Sequence, residues 1–180
     1  MEIKQIRWML SSRRDLKNFP AEARSLAGNQ LWLVQLGRNP VDWKPLKSVG
    51  PGAAEIRTHK PHEHRVIYVA KFPEAIYVLH CFEKKTQQTS KTDIDKARAA
   101  YAEAANLLAR AELMLKVRDI IEANGWSQRQ AAKILGVGQP RIAEIMSFNT
   151  KYFSVDLLLK YLDKLGKRVD FVFRDKGDAA

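Results

Sequence analysis

The chain has 180 residues, 46% of them apolar and 28% charged, which fits a soluble globular protein of one or two domains. Its net charge of +11 is uneven: residues 1–92 carry 16 Lys+Arg against 8 Asp+Glu, whereas residues 93–180 carry 15 against 12. A basic surface attracts polyanions by releasing their condensed counterions. No apolar run approaches the ~20 residues needed to span a bilayer, and Met1-Glu2-Ile3-Lys4 lacks the layout of a signal peptide, so a cytoplasmic protein without a membrane partner is expected.

Ile6-Arg7-Trp8-Met9 reads as an opening strand. Ser11 then caps a short helix that Phe19-Pro20 interrupts. Ala21 to Leu36 reads as a second helix with Ala23, Leu26, Leu33 and Leu36 near helical spacing, ended by Gly37 and Pro40. Val41 to Gly52 is rich in Pro, Gly and Lys and reads as irregular. Ala54–Thr58, Arg65–Phe72 and Ala75–Glu83 are strand candidates, and their short connections predict an antiparallel meander. Two helices on one face would bury its core and leave the other face open. Cys81, the one cysteine, cannot form an intrachain disulfide and reads as a buried, inert thiol.

Thr92, followed by Asp93 and Asp95, reads as a helix N-cap. Asp93–Asn124 contains no Gly or Pro, so it forms one long helix or two with a break near Asn106. Asn124-Gly125 is a stop. Ser127 caps a helix over Gln128–Leu135, Gly136-Val137-Gly138 turns, and Gln139 to Phe148 is a further helix with Pro140 in its first turn. Ser154 caps Val155–Leu165, and Arg168–Phe173 alternates like a short final strand. The fold class expected is an α+β N-terminal domain over residues 1–105, with an antiparallel sheet and helices on one face. An all-α helix-turn-helix domain with a short C-terminal strand follows over 106–180.

Trp126 to Met146 has the internal logic of a helix-turn-helix. Ala131 is small where two helices approach, Gly136 permits the turn, and Val137, Ile142 and Ile145 pack the second helix on the first. Gln139, Pro140 and Arg141 then open the helix whose first turn meets base edges in the major groove, with Gln suited to adenine and Arg to guanine. Ser127 and Gln128 suit backbone phosphate. The bland alternative is a helical hairpin with a solvated polar face. Residues 112–173 resemble the XRE-type helix-turn-helix family, specifically HigA-like antitoxins of type II toxin–antitoxin systems, through Trp126-Ser127-Gln128, Gln139-Pro140-Arg141-Ile142, Phe153-Ser154-Val155-Asp156 and Val169-Asp170-Phe171-Val172. The resemblance implies a homodimer on operator DNA. Glu144 departs from the pattern, since an acidic group on the recognition helix faces phosphate repulsion.

The basic half carries a second resemblance. Lys44-Pro45-Leu46-Lys47, Glu55-Ile56-Arg57, Arg65-Val66-Ile67-Tyr68 and above all Tyr77-Val78-Leu79-His80-Cys81-Phe82-Glu83-Lys84-Lys85 look like the HigB/phage Gp49-like branch of the RelE toxin superfamily. That resemblance implies an mRNA endoribonuclease, an mRNA interferase often acting on the ribosome. RNA self-cleavage needs a deprotonated 2′-OH and a stabilised phosphorane, which Arg and Lys can supply. Arg57, Arg65, Lys84 and Lys85 are therefore the catalytic candidates, and Lys47, Tyr68, His80 and Phe82 the RNA-binding ones, the aromatics as stacking platforms. Against this, Arg57 or Arg65 could pair with Glu55 or Glu63, the aromatics could be core, and His80 could be a hydrogen-bonded core histidine. His59, His62 and His64 sit in a hairpin without a suitable carboxylate pair, so no metal and no cofactor is expected.

Three functions follow: a latent toxin–antitoxin fusion that autorepresses, a DNA-binding regulator whose toxin-like half is an inactive interaction domain, or an active ribonuclease with a DNA-binding tail.

Overall fold

The computed structural model describes residues 3–72 and 74–170. Two compact units divide between Ala104 and Ala105. In the first, a five-stranded sheet has the order β1-β5-β4-β3-β2. Its strands are β1 (Gln5–Trp8), β2 (Trp43–Pro45), β3 (Ala53–Thr58), β4 (His64–Val69) and β5 (Ala75–Glu83). Strands β2 to β5 are antiparallel neighbours, as a meander requires. The sheet is nonetheless mixed, because β1 pairs parallel to β5, with Ile6 opposite Ile76 and Trp8 opposite Val78. The segment expected to be irregular contributes the edge strand β2.

Helices α1 (Ser12–Lys17) and α2 (Ala21–Gln35) cover one face. Their Leu16, Ala23, Ala27, Leu31 and Val34 pack with Ala54, Ile56, Val66, Tyr68, Ile76 and Val78 into the first core. Within α2 the buried stripe is Ala23, Ala27, Leu31 and Val34 rather than the leucines that spacing suggested. The helix is apolar over much of its surface, so periodicity does not select a face.

The second face is not open. Ile67, Val69 and Tyr77, which alternate with the first-core residues along β4 and β5, are all at most 1% exposed. Helix α3 (Lys91–Ala123) begins on this unit, with Ala97, Ala100 and Ala104 fully buried. It is held to the β2–β3 loop by Arg98 Nε donating to Ser48 O at 2.7 Å and Tyr101 Oη donating to Pro51 O at 2.9 Å. Gly50 is where this loop touches the helix, since a Cβ there would lie 2.7 Å from the Tyr101 ring. The cap of α3 is Ser90, whose hydroxyl accepts from the Asp93 amide at 3.1 Å, rather than Thr92. The helix runs without a break through Asn106.

In the second unit, Met114, Val117, Ile120 and Ile121 of α3 pack with α4 (Gln128–Leu135), α5 (Gln139–Met146) and α6 (Val155–Lys164). Ala131, Leu135, Ile142, Ile145 and Leu158 are fully buried there. Arg168–Asp170 form no strand. The rest of the strand expected at Arg168–Phe173 lies outside the described residues. Among the described residues no helix is long and apolar enough to cross a membrane.

Candidate nucleic-acid interfaces

Strand register assigns the candidates of the first unit to faces. Arg57 pairs with Arg65 and Arg65 with Phe82, while Glu55 pairs with Ile67 and Ile67 with His80. Arg57, Arg65, His80 and Phe82 therefore share the second face. Tyr68 belongs to the other face, 5% exposed within the first core. Burial pushes its hydroxyl up to about 12. Its ring is core rather than a stacking platform for RNA.

The two arginines are enclosed by carboxylates. Glu55, 1% exposed, lies 3.3 Å from Arg65 Nε, 3.8 Å from Arg57 Nε and 3.7 Å from Lys44 Nζ. Arg65 also donates to Glu63, and Arg57 lies 3.6 Å from Asp42. His59 closes the ring, with Nδ1 2.6 Å from Glu63 and Nε2 2.7 Å from Asp42. Those two carboxylates raise the His59 pKa, and His59 with Arg65 holds Glu63 at about 2. The expected free cationic patch is thus a neutralised network, with the Arg65 side chain 5% exposed. This is the ion-pair alternative the sequence already contained in Glu55 and Glu63.

Lys84 and Lys85 follow β5. Lys84 is half-buried and its amide donates to Glu63 O at 2.6 Å, while Lys85 is exposed. Lys47 is exposed on the β2–β3 loop.

A cleft of about 470 Å³ lies beyond the end of β1, where α1 faces the last residues of β5; His80, Phe82, Lys85, Asp15, Asp93 and Lys96 are among its lining residues. His80 Nε2 is 2.9 Å from Asp93 Oδ1, and Nδ1 is 3.8 Å from Asp15 Oδ2. Serines hold both carboxylates at 2.6 Å: Ser90 donates to Asp93 and Ser11 to Asp15. Phe82 stacks on the His80 ring at 5.2 Å, and is itself 9% exposed. Sequence reasoning found His80 but missed Asp15 and Asp93 as its partners. The signal available was two acidic residues each four or fewer positions from a serine, which by itself reads as helix capping. Cys81 is buried beside this cleft, and burial pushes its thiol far up.

In the second unit a capping box starts α4: the Ser127 hydroxyl accepts from the Gln130 amide and the Gln130 side chain accepts from the Ser127 amide. Gly136 ends the helix at φ +66°, a conformation that only glycine adopts without strain. Pro140 sits in the first turn of α5. Gln139 Nε2 donates to Gln128 Oε1 at 2.6 Å, so the first turns of the two helices present one carboxamide pair. Ser127, Gln139 and Pro140 are exposed and Gln128 half-buried. Arg141 behaves differently from expectation. It pairs with Glu144 at 3.1 Å and lies over the Phe153 ring at 4.7 Å, which holds it along the helix. Glu144, the departure from the family pattern, thus has a local cation.

The family described as phage-derived protein, Gp49-like, matches residues 14–102. The helix-turn-helix domain family matches residues 99–174. A solved structure described as a candidate XRE family transcriptional regulator is 27% identical; the match covers 43% of this chain and 88% of that one, with a TM-score of 0.41. No curated protein matches the chain. The chain thus pairs a region similar to Gp49-like phage proteins with a region similar to helix-turn-helix domains, and the two matches overlap at residues 99–102, on α3.

Proposed function

We propose that the second unit binds operator DNA at the chain's own promoter as a homodimer and represses it, and that the first unit is an mRNA endoribonuclease held latent in the joined chain. The observation that carries the DNA reading is the Gln128–Gln139 pair on an exposed, capped helix-turn-helix. A carboxamide whose amide group is already committed to a neighbour offers its remaining groups in a fixed direction, as bidentate readout of a base edge requires. A gel shift on the DNA upstream of the reading frame is the test. Gln139→Ala is expected to relax preference at one base position by about 1–3 kcal/mol, and a variant that binds every sequence as wild type does would remove the assignment.

A second reading is favoured by the carboxylates around Arg57 and Arg65: the toxin-like unit is an inactive interaction domain. Expressing the full chain and residues 1–104 separately distinguishes the two. Growth arrest by the fragment alone supports latency, and arrest by neither supports the inactive domain. Arrest by both would make the chain an active ribonuclease and sink latency.

A further inference from the structure

We propose that His80, and not the Arg57–Arg65 pair, is the general base of the first unit, that Asp93 is its positioning residue, and that the cleft they line holds an RNA phosphodiester. The inference rests on the endoribonuclease reading above and says where in the unit that reaction takes place.

Arg65 is committed to Glu55 and Glu63, and Arg57 to Glu55 and Asp42. Recruiting Arg65 to a phosphorane would first break a buried ion pair, which is costly because it strands Glu55, and Arg57, 31% exposed, sits between Glu55 and Asp42 rather than facing open solvent as a free cation. His80 is buried too, its side chain 4% exposed, but its hydrogen bond to Asp93 uses Nε2 and can stay in place while Nδ1 works. Asp93 accepts from Nε2, and this fixes the tautomer that leaves the Nδ1 lone pair free. Nδ1 is 3.8 Å from Asp15, too far for a hydrogen bond. A ribose hydroxyl seated alongside them can therefore donate to Nδ1, and hydrogen-bond reach is the first requirement of a general base. Asp15 is itself held by Ser11. Lys85 and Lys96 line the same cleft and supply cationic groups for the phosphate oxygens, beside the carboxylates of Asp15, Glu83 and Asp93. Phe82, stacked on the imidazole, fixes the plane of the ring.

The step balances without a further reactant. The 2′-OH gives its proton to His80 Nδ1, O2′ bonds to phosphorus, and the P–O5′ bond breaks. The leaving O5′ takes a proton from a lysine ammonium. The products are a 2′,3′-cyclic phosphate end and a 5′-hydroxyl end.

The test uses the full chain and an uncleavable probe, a dinucleoside monophosphate with a 2′-deoxy sugar on the 5′ side, followed by nitrogen-15 NMR of the four histidine rings. The expected result is a saturable shift of the ring signals of His80 and of His64, which lines the same cleft, with His59 and His62 unmoved. Lys85→Gln with Lys96→Gln should weaken binding about tenfold, a change of ~1.4 kcal/mol. In the free chain, Asp93→Asn should move the ring proton from Nε2 to Nδ1 while the melting transition persists, a signature that a purely structural aspartate would not give. Probe binding that shifts Arg57 and Arg65 side-chain signals and leaves His80 unmoved would overturn the assignment and leave the endoribonuclease reading standing. Failure of the probe to bind at millimolar concentration would overturn the assignment to this cleft, while the endoribonuclease reading stands or falls by growth arrest from residues 1–104. Neither wild-type result depends on the folding of a variant.

Discussion

His59 holds two carboxylates at once, and its exposed position makes the consequence measurable by pH rather than by large energies. Its pKa is raised, chiefly by Asp42 and then Glu63, so its contribution is complete below the ordinary value of 6.5 and is lost as pH rises through the raised one. Glu63 is lowered to about 2, so its contribution is complete above the ordinary 4.5 and is lost as pH falls towards 2. The stability gap between wild type and His59→Gln should therefore be widest between about pH 4.5 and 6.5 and narrow on both sides, as read from urea midpoints. A gap that does not vary with pH would show that the clamp carries no weight. The residue scale is also where the sequence was most ambiguous. Arg65 beside Glu55 and Glu63 could be catalyst or ion pair, and only strand register shows that Glu55 lies on the arginines' own face. Tyr68 was equally undecidable until the face of β4 was known. Arg141 was legible as a recognition-helix side chain, yet its direction depended on Phe153, twelve residues away, whose ring it covers.

At the scale of elements, capping and turn chemistry read directly off the chain. Ser127, Gly136 and Pro140 stand where the helix-turn-helix places them, because each is required by local backbone geometry alone. Ser127→Ala should remove one side of the capping box and cost ~1 kcal/mol, lowering the melting point of the second unit; an unchanged melt would mean that water satisfies the amide equally well. Pairings over long sequence distances were not legible. Nothing in Gln5–Trp8 says that it lies parallel to a strand some seventy residues later. The covered second face did leave a trace, since Val66-Ile67-Tyr68-Val69 is continuously apolar, as strands buried on both sides are. Gly50 reports how that side is closed. Gly50→Ala would drive a methyl group into the Tyr101 ring, at 2.7 Å. A loss of about 1–3 kcal/mol is expected from overpacking, together with loss of the Tyr101–Pro51 hydrogen bond. Tyr101→Leu should relieve part of it, and a neutral Gly50→Ala would place the loop away from the helix.

For the whole molecule, the helix α3 is the element on which the two family matches overlap. Absence of a Gly- or Pro-rich linker was plain from composition, and the continuous helix follows from it. What composition could not reveal is how burial is distributed along those 33 residues. Ala97, Ala100 and Ala104 are buried within the first unit, and Met114, Val117 and Ile121 within the second. From Ala105 to Glu112 no residue is fully buried, and Ala105, Asn106 and Glu112 are exposed. A run of about eight helical residues is marginal in water on its own, so a stretch without a fully buried residue leans on the packed turns on either side. Opening there exposes no fully buried residue, and it needs neither core to unfold. Amide exchange followed by mass spectrometry should therefore show faster exchange in 105–112 than in 97–104 or 114–121. Ala109→Gly, which removes about 1 kcal/mol of helix propensity, should widen that difference without changing exchange in either core. Equal protection along the whole of α3 would mean that the middle turns are packed as firmly as the ends, and that the helix unfolds only with a core.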